Sequence, residues 1–248
     1  MKLSLITATY NCVETLADCL DSVSSQTYDD IEHWVIDGGS TDGTVAFVES
    51  RYQQLARMVS EPDEGTYDAL NKGLARVTGE VVGLLHADDV FADSEVLSRV
   101  VAAFEDPAVE AVYGDLEYVA RDDASRVIRH WQARSFAPGR LRWGWMPPHS
   151  TLYLRRSLYE RFGGFDTRYR IAADYDFMLR VLTQLSGRVV YLPQVLVRMR
   201  LGGISNRSLK MMLRKSREDY RVLRTNNVGG LGALVWKNLS KLPQFVRL

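Results

Sequence analysis

Three short acidic segments carry the chemistry this sequence can support: Asp37-Gly38-Gly39-Ser40, His86-Ala87-Asp88-Asp89 and Asp174-Tyr175-Asp176. Two adjacent carboxylates beside a buried strand repel each other and lose solvation, which is costly unless a cation or hydrogen-bond donors compensate. A hard divalent ion such as Mg2+ or Mn2+ prefers carboxylate and phosphate oxygens. Asp88 and Asp89 therefore suit one ion shared with a diphosphate; a solvated turn capping the next segment is the alternative. Asp37 can accept an N–H from a nucleobase, while Gly38 lets backbone approach a ligand. An Asx turn fits the same residues. Asp174 opens a helical pattern, where an acid is either a cap that stabilises the dipole or a general base facing a cleft.

The elements that must position these groups follow from periodicity. Apolar runs at Leu3 to Ala8, Ile31 to Ile36, Leu55 to Ser60 and Glu80 to Leu85 read as strands, with helical spacing between them. Asn11 and Glu14 have the spacing of a capping box, with Asn in the Ser/Thr position, at the start of the first helix. This β-α-β-α alternation predicts an α/β fold with a mostly parallel sheet and helices on both faces. Ligands of such sheets lie beyond the carboxyl ends of the strands. Thr7-Ala8-Thr9-Tyr10-Asn11, Asp37 to Ser40 and His86 to Asp89 all fall there. Further on, Val109 to Tyr113, Leu116 to Ala120, Arg126 to Trp131, Ser150 to Leu154 and Arg188 to Leu192 are short strands. Ser157 to Phe162 and Asp174 to Leu185 read as helices. Two more helices follow, one running to about Arg224 and one from Leu231 to Leu239.

Six segments occur in order: Ile6-Thr7-Ala8-Thr9-Tyr10-Asn11, Asp37 to Thr44, Glu61-Pro62-Asp63-Glu64-Gly65-Thr66-Tyr67-Asp68-Ala69-Leu70-Asn71-Lys72-Gly73, Ala87-Asp88-Asp89, Gly163-Gly164-Phe165-Asp166 and Asp174-Tyr175-Asp176. Together they resemble the family 2 inverting glycosyltransferases of the GT-A fold, nearest to the bacterial polysaccharide-assembly type that includes colanic acid glycosyltransferases. The resemblance runs from Lys2 to about Ser205. It implies a GT-A domain over 1–205, with a nucleotide-sugar half (1–110) and an acceptor half (111–205); the remaining 206–248 read from their own pattern as a basic, amphipathic helical extension. It implies that Thr7, Thr9 and Asp37 hold the nucleobase and ribose, supported by Glu14 and the adjoining Ala8, Asn11 and Gly38. Asp88 would lie near the ribose or metal, and Asp89 would bind Mg2+ or Mn2+. Asp174 would be the catalytic base. Asp68 and Lys72, four apart on one helix face, would pair or line the donor pocket. Two positions depart from the family pattern: His86 stands where a first acid is common, and Ala173 where a Glu is common. His86 is then either a strand-end histidine or part of the donor site.

Other residues suggest an acceptor side and a membrane contact. His149, with Trp143 and Trp145, offers aromatic faces for a sugar ring; core packing is the alternative. Arg198 and Arg200 alternate at a strand end and suit phosphate; a solvated strand face is the alternative. Net charge is zero, which gives no reason to expect nucleic acid, but the distribution is uneven. From Arg198 onward there are 12 Lys/Arg against 2 Asp/Glu, leaving 19 against 29 before it. Arg207, Lys210, Arg214, Lys215, Arg217, Arg221 and Arg224, then Leu231, Leu234, Val235, Trp236, Leu239 and Phe245, suit an anionic membrane surface and a lipid-linked acceptor, or packing on the acidic body or a second subunit. Cys12 and Cys19, if both helical, have Cα atoms roughly 10 Å apart, beyond disulfide reach. Two free thiols, no leader-like start and no spanning apolar run predict a cytoplasmic protein, peripheral at most on the inner membrane face.

The function expected is transfer of a sugar from a UDP- or GDP-sugar to a hydroxyl. A sugar-1-phosphate nucleotidyltransferase would want a glycine-rich basic loop after strand one, and an oxidoreductase Gly-x-Gly-x-x-Gly; neither occurs. A decayed sugar-binding module is the remaining alternative.

Overall fold

The computed structural model describes residues 1–202 and 209–239. Its first half alternates β1 (Leu3–Thr9), α1 (Val13–Ser24), β2 (Ile31–Asp37), α2 (Thr44–Arg51), β3 (Arg57–Ser60), α3 (Thr66–Leu74) and β4 (Val81–Leu84). β1 and β4 are buried on both faces, Ser4 and Thr7 of β1 included, as strands inside a parallel sheet are. Leu3 to Thr9 pairs in register with Ile31 to Asp37, and β4 lies parallel on the other side of β1. The ends of β1 and β2 therefore come level, Thr9 beside Asp37.

The second half adds β5 (Val90–Phe91), α4 (Val96–Ala103), β6 (Val109–Val119), β7 (Val127–Trp131), α5 (Pro138–Leu141), β8 (Tyr153–Arg155), α6 (Arg156–Phe162), α7 (Ala173–Leu182) and β9 (Arg188–Arg200). Sheet order is β3-β2-β1-β4-β8-β6-β9-β5, with β7 paired to β6. β8 runs antiparallel between β4 and β6, so the sheet is mixed. Gly83 makes the β4–β8 pairing possible: a Cβ there would lie 2.3 Å from Cε1 of the buried Tyr153.

β5, α4 and α5 were not expected from sequence, and three further differences bear on the frame of the sheet. The segments at 109–113 and 116–120 are one strand, β6. Ser150 lies in a 3-10 turn, His149–Thr151, and the strand begins only at Tyr153. β9 continues past Pro193 to Arg200. Proline has no N–H for the ladder, and the β6 register steps there, Gly114 facing Leu192 and Asp115 facing Val195. The bulge accommodates the proline.

One polar knot closes the opposite end of the sheet. Glu32, on β2, accepts from Ser4 Oγ (2.7 Å), Thr78 N (2.7 Å) and Thr78 Oγ1 (3.0 Å), with Lys2 and Arg57 at 3.3 and 3.4 Å. Burial opposes its charge, but the donors outweigh it and hold the carboxyl at about 2, below its ordinary 4.5. A depressed folded-state pKa contributes stability that is fully present above the unfolded value and lost as pH falls through the folded one. Glu32→Gln should therefore lower stability at neutral pH. The gap to wild type should close between about pH 4.5 and 2, as read by urea unfolding at stepped pH.

α8 (Leu209–Thr225) and α9 (Leu231–Leu239) follow. They share the body's core, because Val222, Leu223, Val228 and Ala233 join the buried cluster that contains Ala172, Tyr175 and Leu179. Glu218 accepts the N–H groups of Ile171 (2.8 Å) and Ala172 (3.1 Å), tying α8 to the start of α7. The proposed domain boundary at 205 and the residues Arg207 and Phe245 lie outside the described residues.

Candidate active site

The loop after β2 is organised by Asp37. Fully buried, it accepts from Thr9 Oγ1 (3.0 Å), Gly39 N (3.0 Å), Ser40 N (2.8 Å), Ser40 Oγ and Ser60 Oγ (2.8 Å). Burial opposes its charge, and these donors reverse the effect and hold its pKa below the ordinary value. Five donors saturate the lone pairs of both oxygens, so Asp37 positions the loop here and has no acceptor left for a nucleobase. Thr9 is the partner of that anchor. Thr7 is also buried, 2.9 Å from His33 Nε2.

Asn11 does not cap α1. It has φ 46°, its side-chain oxygen accepts from Thr41 N (2.9 Å), and its own N–H reaches Ser40 Oγ (2.8 Å). Cys12 is the N-cap, and the free N–H groups of Cys12 and Val13 are taken by Thr44 Oγ1 and Asp42 Oδ2, both at 3.1 Å. A tertiary cap replaces the local one, holding the loops after β1 and β2 together. Glu14 is exposed, and Ala8 packs against the core. Cys12 and Cys19 are free thiols, the second fully buried.

Asp63 is a residue that sequence reasoning passed over. A Cβ on Gly38 would lie 2.4 Å from Asp63 Oδ2, so the glycine makes room for this half-buried carboxylate at the edge of the Asp37 loop. Its other oxygen accepts Gly65 N at 2.8 Å. The signal was present as an acid inside a recognisable segment, but nothing local said which loop it would meet. Asp68 and Lys72 pair at 3.4 Å, and Lys72 also reaches Glu61 (3.2 Å) and Pro62 O (2.8 Å). Together they fix the loop that carries Asp63.

After β4 the chain turns, Asp89 N donating to His86 O at 3.0 Å. Asp88 is half-buried. Asp89 is 1% exposed, and neither of its carboxylate oxygens has a hydrogen-bond partner. Burial first and Asp88 second push its pKa well above the ordinary value, against the pull of Arg200. Arg200 reaches Asp88 O (3.2 Å) and pairs with Asp18, while Arg198 pairs with Glu117 (3.2 Å) on β6. Arg200 thus braces the acidic turn, and Arg198 is held by the sheet.

Among the described residues no group of three or more His, Cys, Asp or Glu is placed to hold an ion. Two adjacent carboxylates, one without a donor, nonetheless fit a hard cation whose remaining ligands are diphosphate oxygens. Asp88 is the one a cation can reach. Asp89, assigned that role from sequence, is turned inward by the strand-end turn.

Asp174 sits in the first turn of α7, where the helix dipole favours negative charge. Its side chain makes no capping bond. The Tyr67 phenol lies 3.1 Å from its Oδ1 and 2.8 Å from Ile171 O, one proton shared between two acceptors. His149 Nδ1 lies 3.4 Å from its Oδ2, and His149 Nε2 is 2.9 Å from His86 Nε2. Both contacts become hydrogen bonds if His149 Nδ1–H faces Asp174 and His86 Nε2–H donates to His149. Burial and the neighbouring His149 push His86 down to about 4, so it is neutral at physiological pH. The neighbouring Asp176, by contrast, is buried and paired with Arg180 (2.8 Å) and Asn226 (2.9 Å), which makes it an anchor of the fold. His86 and His149 thus join the acidic turn after β4 to Asp174.

The two tryptophans expected beside the acceptor each make contacts of their own. Trp145 donates to Ala133 O (2.9 Å) and meets Tyr113 and Phe136 in the core. Trp143 is 61% exposed and lies against Trp236.

The fold has known counterparts. The structure superposes on the Staphylococcus aureus TarS 1-349 fragment solved with UDP-GlcNAc, with TM-score 0.70 and 19% identity over 92% of this chain and 66% of that one. A Pyrobaculum calidifontis mannosyltransferase, PcManGT, solved with GDP-Man and Mn2+, gives TM-score 0.69 and 22% identity over 99% and 73%. Both show the GT-A fold. Among curated sequences, a PGL/p-HBAD biosynthesis glycosyltransferase of Mycobacterium bovis (strain BCG / Pasteur 1173P2) is 33% identical over 82% of this chain and 78% of its own length. An uncharacterized glycosyltransferase of Mycobacterium tuberculosis (strain CDC 1551 / Oshkosh) is 34% identical over 71% and 67%. Residues 4–169 match the family model described as Glycosyl transferase family 2. With that span and those relatives, the chain belongs to glycosyltransferase family 2 and is a glycosyltransferase of GT-A fold.

Proposed function

We propose that this enzyme moves a sugar from a nucleoside-diphosphate sugar to an acceptor hydroxyl in one displacement that inverts the anomeric centre. The observation that carries the reading is Asp174, held between Tyr67 and His149 and linked through His86 to the acidic turn after β4. The acceptor O–H is oriented toward Asp174, which takes its proton as the oxygen attacks the anomeric carbon and the nucleoside diphosphate leaves. Tyr67 and His149 fix the rotamer of the carboxylate, so no reorganisation is needed at the moment of transfer. Asp88, with Asp89 behind it, would hold Mg2+ or Mn2+ against the diphosphate. Such an ion neutralises charge developing on the leaving group.

Asp63, beside Gly38, is our candidate for reading the nucleobase, since Asp37 is saturated. Arg200, braced on Asp88 O, keeps positive charge near the phosphates. The acceptor we propose is a lipid-linked or polysaccharide intermediate of bacterial surface glycan assembly, consistent with the named biosynthetic role of the M. bovis relative.

A donor panel of UDP-, GDP- and dTDP-sugars read by thermal shift with and without Mn2+ tests this. One nucleotide class should raise the unfolding midpoint, by the equivalent of about 2.7 kcal/mol at a hundredfold excess over Kd. Asp88→Ala should remove the Mn2+-dependent part, and Asp63→Ala should weaken binding without changing that dependence. Equal shifts for all three nucleotides with Asp63→Ala unchanged would remove Asp63 from base recognition.

A further inference from the structure

The inner side of α9 is built into the body. Ala233 and Lys237 are buried, and Lys237 pairs with Asp219 at 2.9 Å with its ammonium 3.3 Å from the Tyr175 ring centroid. The outer side is a different surface. Leu231 is 66% exposed, Val235 56% and Leu239 50%, four residues apart on one helix face. Trp236 is exposed beside them, and Trp143 meets it with ring centroids 6.4 Å apart. Gly144 makes this junction close, since a Cβ there would lie 2.7 Å from Ala233 O. Two elements far apart in sequence thus form one fixed apolar face. Patches of this kind on a soluble surface mark an interaction site.

The exposed charge on the neighbouring α5 and α8 segments includes four arginines. Arg140 and Arg142 on the α5 side and Arg221 and Arg224 on α8 are exposed. The only acidic residues after Arg198 are Glu218 and Asp219, and both are buried and face inward. Aliphatic and tryptophan side chains, with exposed arginines on the neighbouring α5 and α8 segments and no exposed acid on α8 or α9, match a bilayer interface that carries anionic headgroups.

We propose that α9 and Trp143 form a membrane-docking face that seats the enzyme on an anionic lipid surface. Binding does not depend on the transfer reading. Its use does: α9 contacts Tyr175, next to Asp174, so a docked enzyme would hold the site within reach of a lipid-linked acceptor.

The test is co-sedimentation of the purified full chain with vesicles of phosphatidylcholine, alone or mixed with phosphatidylglycerol. Wild type should pellet with the mixed vesicles, and less so as salt rises. The pair W143E and W236E in one chain should reduce the bound-to-free ratio on the order of tenfold or more, and R221E with R224E should do so in the mixed vesicles. L55E, at an exposed leucine on another face, should bind like wild type, and unchanged melting curves would confirm that the variants fold. Wild type left in the supernatant with both vesicle types would overturn the proposal. So would a tryptophan double variant that pellets normally. A wild-type dimer that becomes monomeric in that variant, with no vesicle binding, would reassign the face to a second copy of the chain.

Discussion

Asp174→Asn should lower the transfer rate by a factor of about 10²–10⁴, the usual contribution of a positioned general base, while donor-induced thermal stabilisation persists. Asparagine keeps the size, and its one carbonyl oxygen can still accept from Tyr67, so the loss would report chiefly the missing proton acceptor. The carboxylate is part-buried, with 19% of its side chain exposed, and has donors on both oxygens. That suits a group that must be charged before the reaction and be reached by a hydroxyl during it. His149→Phe should leave donor stabilisation near wild type and lower kcat with little change in donor KM, because His149 acts on the acceptor side through Asp174. Full activity in Asp174→Asn, measured as nucleotide release together with glycosylated product, would place the base elsewhere.

Asp219→Ala should destabilise the chain by about 3–5 kcal/mol, the cost of leaving one member of a buried ion pair alone. Lys237 and Asp219 are 4% and 5% exposed at a separation of 2.9 Å. Burial pushes the Lys237 pKa down, against the pull of Asp219, so removing the acid leaves an ammonium with little solvent and one fewer compensating charge. The midpoint of thermal unfolding should fall on the order of 10 °C for a chain of this size. Asp219→Leu with Lys237→Met should recover most of that loss, since an apolar pair of similar volume avoids the desolvation cost. A single variant that melts within about 2 °C of wild type would mean that α9 contributes little to the native body, given 2–4 °C per kcal/mol. Because α9 and Tyr175 are in contact, this measurement also asks whether the end of the chain supports the helix that presents Asp174.

Much of this was legible in residue order. Period and polarity gave β1 to β4 with their intervening helices. The acidic loops at Asp37 and Asp88 fell at carboxyl ends of parallel strands because the alternation of strand and helix leaves them nowhere else to go. Asp174 was legible as an acid at a helix start, but a cap and a base have the same local sequence. Only the approach of Tyr67 and His149 separates them, and those contacts span 107 and 25 positions of the chain. Asp37 shows the limit from the other side: its type and its two glycines suit a ligand site, yet Thr9, Ser40 and Ser60 converge on it and saturate it.

By itself the sequence determined β1 to β4 with their intervening helices, that the fold is α/β, and that Asp37 and Asp88 fall at strand ends, because periodicity and turn chemistry act between near neighbours. The tertiary structure decided which of those acids are satisfied by the protein and which are left to meet a ligand. It also brought Trp143 against Trp236 of α9. The reason is that hydrogen-bond saturation and burial are sums over every group within a few ångströms, and most of those groups are distant along the chain.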